Sequence, residues 1–141
     1  MYIKITLFLL LTCFAFVAPI QAKSPAAPDS YVYIISPQEG EVVHSPVLVK
    51  FGLRGMGIAP AGVEQKHTGH HHLLIDVETL PDLDKPIPAD DQHIHFGKGQ
   101  TEALIELSPG THTLQLLLGD FIHVPHDTAI TSKAISIHVM E

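Results

Sequence analysis

The chain contains one cysteine and no tryptophan in 141 residues, and that cysteine, Cys13, lies in the amino-terminal apolar run. Once the run is removed, neither a thiolate nor a disulfide remains. Cys-based zinc sites, iron–sulfur clusters, blue-copper thiolate centres and cysteine nucleophiles are thereby excluded. Basic residues are also scarce: eight Lys and Arg stand against fifteen Asp and Glu, a formal net charge of −7. A chain this acidic lacks the basic footprint of a nucleic-acid binder, is repelled by anionic lipid surfaces and favours cations over anionic ligands. No segment shows a convincing helical period. No serine sits in a nucleophile elbow, and phosphate-cradling loops and dinucleotide fingerprints are missing. A histidine with Asp127 and Ser132 can be combined on paper into a hydrolytic triad, but no motif supports it, and no enzyme activity is expected.

The only long hydrophobic run is at the amino terminus. Lys4 gives it a basic start, Ile5 to Val17 form the apolar stretch, and Ala18-Pro19-Ile20-Gln21-Ala22 offers a cleavage site before Lys23. The pattern matches a secretory signal and is too short for a transmembrane helix. Cys13 follows Thr12, where a lipoprotein signal wants a smaller residue, so lipidation is not expected. Residues 1–22 are therefore read as a signal peptide, the mature protein as periplasmic, and membrane insertion after cleavage as absent. Loss of Lys4 moves the formal charge from −7 to −8.

Residues 23–30 are rich in Pro and Ala and read as a flexible leader; residues 31–141 are the size of one domain. Within it, Tyr31–Ser36, Val47–Leu53, His70–Val77, His93–Phe96, Gln100–Leu107, His112–Leu118 and Ala134–Met140 alternate apolar with polar residues or are β-branched, with Gly and Pro turns between them. About seven short strands predict an all-β fold, an immunoglobulin-like antiparallel β-sandwich. Without a disulfide or a core Trp, aliphatic packing alone must hold it.

What the chain has in quantity is histidine, eleven in all. Three are consecutive in Thr68-Gly69-His70-His71-His72-Leu73-Leu74-Ile75-Asp76. Side chains alternate across a strand, so His70, His72, Leu74 and Asp76 share one face and His71, Leu73, Ile75 and Val77 the other. The second set continues apolar and is assigned to the core, with His71 expected to hydrogen-bond the backbone there. His70 and His72 are then side by side on the outer surface, at a spacing that lets two imidazoles share a metal ion. If His93–Phe96 pairs antiparallel with this strand, Ile94 and Phe96 face inward, and His93 and His95 become outer neighbours about 5 Å away. His123 and His126 lie in a loop stiffened by Pro125, at the same end of the sandwich. The candidate metal ligands are therefore His70, His72, His93, His95, His123 and His126. His112, after Pro109-Gly110, occupies the place of the corner tyrosine of sandwich domains and is read as structural. His44, His67 and His138 are isolated and read as solvated.

With no thiolate available, an imidazole set suits copper, with zinc as the alternative. Met56 would add a soft ligand, and Asp76, Asp120 or Asp127 a carboxylate ligand or a partner that orients an imidazole. No acidic loop has the ligand spacing of a calcium site. Two functions fit. One is an exported module that holds or delivers a metal ion. The other is a structural or protein-interaction domain of the cell envelope, with an envelope protein as partner and a histidine surface sensitive to pH.

Several longer motifs point to a family. Ser36-Pro37-x-x-Gly40, Phe51-Gly52-Leu53-x-Gly55-Met56-Gly57, Gly69-His70-His71-His72-Leu73-Leu74-Ile75-Asp76, His95-Phe96-Gly97-x-Gly99-Gln100-Thr101-Glu102 and Pro109-Gly110-x-His112-Thr113-Leu114 through Gly119-Asp120 resemble the small exported bacterial proteins of domain-of-unknown-function family 4399. The resemblance spans nearly all of the mature chain. It implies a bacterial exported protein and carries no established activity.

Overall fold

The alternating segments become the strands of a β-sandwich in the computed structural model, which describes residues 22–141. The signal-peptide reading falls, apart from Ala22, outside the described residues. The strands are β1 Tyr31–Ser36, β2 Val42–His44, β3 Val47–Arg54, β4 Gly57–Ile58, β5 Thr68–Ile75, β6 His93–His95, β7 Glu102–Ile105, β8 Gly110–Gly119 and β9 Ile135–Met140, with no helix among the described residues. One sheet has the order β1-β3-β7; the other runs β2-β9-β8-β5-β4, with β6 also paired to β5. The second sheet curls into a half-barrel.

The expected all-β sandwich is the observed fold, with nine strands in place of about seven. The two additions, β2 and β4, are three and two residues long. Both pair in parallel, β2 with β9 and β4 with β5. β4 is too short to display a period of two, and Val42-Val43-His44 does not alternate, which is why alternation did not reveal them.

The main core lies between the sheets. Val47, Val49 and Phe51 of β3 meet Leu73 and Ile75 of β5, Leu114, Leu116 and Leu118 of β8, and Ile137 and Val139 of β9, all buried. Each such side chain contributes about 1.5–3 kcal/mol relative to exposure, which replaces the disulfide and Trp that the chain lacks. A smaller cluster, Leu74, Ile87 and Leu117 with Val77, Leu80 and Leu83 against it, sits on the opposite face of β5 and β8. Ile87 comes from the segment between β5 and β6, so that segment folds over the sheet. The central strands are thus covered on both faces.

His71 points into the main core, as its place in the alternation requires. Its ring lies 5.2 Å from that of Phe51, which is 4.8 Å from Phe96. The expected backbone hydrogen bond is not made, and both ring nitrogens are buried without a partner. The reason is its setting: inward residues of a central strand face side chains from the other sheet, and the backbone groups nearby are already used in the ladder.

Candidate metal centre

Two strands and one loop deliver the imidazoles. On β5, His70 and His72 project to the face opposite His71. Across β8 their partners in register are Gly119 and Leu117, and across β6 His72 faces His95. The sequence therefore places these rings on the correct side of the strand. It misjudges what lies above them: His70 is 0% and His72 1% exposed. The covering segments are the one that carries Ile87 and the loop after β8 that carries His123, joined by the Ile87 N–H donating to the His123 carbonyl at 2.9 Å.

Four rings meet under this cover. His70 is 4.9 Å from His72, 5.0 Å from His95 and 5.1 Å from His123, between centroids. His72 is 5.0 Å from His95 and 6.1 Å from His123, and His95 is 4.7 Å from His123. One nitrogen from each of His70, His72 and His95 lies within 4.8 Å of the other two. Both nitrogens of His70 and of His72, and Nε2 of His95, are buried with no hydrogen-bond partner. Leaving a buried polar atom unpaired costs about 1–3 kcal/mol, and the five lie close enough together for one shared ligand to satisfy several of them. With separations of no more than 4.8 Å, a central point is at most about 2.8 Å from each nitrogen, and bonds of about 2.0–2.1 Å require each ring to move inward by no more than about 0.7 Å.

Two glycines make room for the rings. A Cβ on Gly119 would stand 2.7 Å from Cε1 and 3.2 Å from Nδ1 of His72, and one on Gly97 would overlap the His95 ring. The pocket is also electrostatically suited to neutral imidazole. Burial, then the neighbouring imidazoles His95 and His123, hold His70 down to about 4. Burial and the charges of His70, His95 and His123 hold His72 to about 3. His95 is lowered by burial and then by His123. At neutral pH these rings carry free lone pairs, the form that binds metal.

The other candidates lie elsewhere. His93 is opposite Leu74 in the β5–β6 register, two pairs beyond His72, and its Nδ1 is 2.8 Å from Asp90 Oδ1. His126 is 1% exposed and reaches the start of β5, where Nε2 is 3.1 Å from the Thr68 carbonyl oxygen. Met56 packs against the main core. Asp120 builds the loop after β8 through Ile122 N–H and Val124 N–H, both 3.0 Å from Oδ1, instead of pointing at the imidazoles as a ligand. Asp76 does orient an imidazole, but that of His112: Nδ1 is 2.7 Å from Asp76 Oδ2, and Nε2 is 2.9 Å from the Ser108 carbonyl. Burial opposes the charged form of His112, yet the Asp76 and Ser108 bonds prevail and raise its pKa. His112 is the corner residue expected from its position. The paper triad is not assembled, since Ser132 Oγ donates to Lys133 O and Asp127 Oδ1 accepts the Ala26 and Thr128 amides. His44 and His138 are exposed and His67 half-buried.

Sequence reasoning missed the glycines, and it offered Asp120 as a ligand or orienting partner without the turn that this residue builds after β8. A signal for the first was present: Gly97 follows two residues after His95, and Gly119 closes β8 directly after Leu116-Leu117-Leu118, where a strand-end glycine marks close approach of another group. Comparison with curated proteins and with solved structures gave no match. A family model described as Domain of unknown function (DUF4399) matches residues 49–140, a span that includes all four clustered histidines, and the chain belongs to that family.

Proposed function

We propose that this protein is an exported, periplasmic metal-binding module that holds or hands on a transition-metal ion, copper before zinc, through His70, His72 and His95. One observation carries the reading: three imidazoles, two of them fully buried, bring nitrogens within 4.8 Å of one another with no hydrogen-bond partner for them. A metal ion supplies what those atoms lack. Neutral rings at physiological pH remove proton competition from the binding step, and the affinity order of divalent ions places copper above zinc for nitrogen ligands. The amino-terminal apolar run supports export. Catalysis is not required. The competing reading, a pH-sensitive histidine surface for an envelope partner, has less support because the clustered rings lie under two loops.

The test uses residues 23–141, untagged and stripped of metal, titrated calorimetrically with copper and with zinc. Wild type is expected to bind one equivalent tightly, and His70→Ala with His72→Ala to lose it while circular dichroism stays that of a β-sandwich. Weak binding at several sites in both proteins refutes the proposal.

A further inference from the structure

We infer that Asp120 is a positioning residue that makes His123 the fourth imidazole of the metal site, and that Ser24 holds Asp120 in that role. The inference rests on the metal-binding reading above and extends it to the loop that closes the site.

Asp120 is only 3% exposed. A buried carboxylate needs partners for its lone pairs, and two of the three here shape one turn. Oδ1 accepts the Ile122 and Val124 amides at 3.0 Å. The Asp120 amide donates to Val124 O, and the His123 amide to Asp120 O, both at 2.9 Å. His123 sits at the centre of this turn with φ 69°. That left-handed conformation costs a non-glycine residue on the order of 1 kcal/mol, so it persists because the surrounding bonds enforce it. With the His123 carbonyl also accepting the Ile87 amide, both backbone groups of His123 are fixed. The ring is thereby delivered edge-on to His70 and His95.

Three nitrogens leave copper or zinc one short of the usual four-coordinate protein site. His123 is the remaining ring at the cluster. The amino-terminal segment secures the loop on both sides of that ring. Ser24 Oγ donates to Asp120 Oδ2 at 2.7 Å. Beyond His123, the Asp127 amide donates to Ser24 O at 3.0 Å, and the Ala26 amide to Asp127 Oδ1 at 2.9 Å. Residues 24–26 thus act as a strap across the loop, and metal affinity depends on a segment that touches no ligand directly.

The experiment loads residues 23–141 with Cu(II), counts coordinated nitrogens from the hyperfine structure of the electron paramagnetic resonance spectrum, and measures affinity by chelator competition. Wild type is expected to show four nitrogens. His123→Ala and Asp120→Ala are each expected to show three nitrogens; Asp120→Ala should bind about 10–100-fold more weakly, the usual loss on removing a supporting partner, and His123→Ala at least as much more weakly. The double variant should bind no more weakly than His123→Ala alone, because both changes remove one interaction. Asp120→Asn keeps Oδ1 as acceptor and should restore the fourth nitrogen. Ser24→Ala should give a smaller loss that vanishes in the His123→Ala background, and it serves as the test if Asp120→Ala does not fold. A four-nitrogen spectrum in Asp120→Ala, or a loss from either change that persists without His123, overturns the coupling and leaves the three-histidine site standing. A wild type that binds no copper, or copper retained after His70→Ala with His72→Ala, overturns the metal reading and the coupling together.

Discussion

His70, His71 and His72 are equally buried yet have different neighbours. His71 lies among Phe51 and the aliphatic core, while His70 and His72 lie among imidazoles. All three are held neutral, His70 and His71 down to about 4 and His72 to about 3, first by burial in each case. For His70 and His72 the neighbouring His95 and His123 add to this, and the Asp120 charge works against it at His70. In the unfolded chain all three titrate near 6.5. From pH 6.5 down to about 4 the unfolded chain therefore binds more protons than the folded one. The stability held above pH 6.5 is lost progressively as pH falls. Three protons correspond to about 4 kcal/mol per pH unit. Urea unfolding of the metal-free protein should show a midpoint that drops steeply between pH 6.5 and 5. His71→Leu, which leaves the cluster untouched, should reduce that slope by about one third. Equal midpoints at pH 7 and pH 5 would contradict the neutral, buried state of these rings. At this scale the sequence was informative about direction: alternation assigned each ring to its face of β5. It was silent about burial, because nothing local to His70 or His72 records which distant segment covers them.

β5 owes its position to its neighbours as much as to its own residues. It runs between β8 on one side and β4 and β6 on the other, and the register with β8 sets Gly119 opposite His70, with Gly97 just beyond β6. Gly119 does not have a left-handed φ, so alanine suits its backbone and the conflict falls on the His72 ring. Gly119→Ala is expected to destabilise the fold by about 1–3 kcal/mol, as overpacking does, and to weaken copper binding at least tenfold by displacing that ring. Calorimetry on the refolded variant checks both, and unchanged affinity would mean that His72 is not a ligand. The longer strands were legible because their alternation meets a real core: Val47, Val49 and Phe51 are buried as the pattern demands, and so are Leu114, Leu116 and Leu118. Register was less legible. Either histidine of His93-Ile94-His95 could have faced His72, and the choice of His95 is made by the β5–β6 pairing, with Asp90 binding the other.

The sandwich therefore has one large core and, on the far side of its curled sheet, a second apolar patch beside a pocket of unpaired imidazoles. The patch around Ile87 and Leu117 packs on the same face of β5 and β8 as the imidazoles, and the strap of residues 24–26 fastens the loop after β8. Such a cover can form only when the whole chain is folded, since His70, His95 and His123 come from segments far apart in sequence. The cluster does not exist in the unfolded state, so if it binds copper as proposed, the binding free energy becomes folding free energy. Copper free at about a hundred times its dissociation constant should add about 2.7 kcal/mol. For residues 23–141 that amounts to a rise of roughly 10 °C in Tm. The rise should vanish in the His70→Ala, His72→Ala protein and be reversed by a chelator, while the metal-free Tm of wild type stays as it was before loading. Differential scanning calorimetry with and without copper distinguishes this from adsorption at the exposed His44 and His138, which are present in the folded and unfolded chain alike and would leave Tm unmoved or lower it.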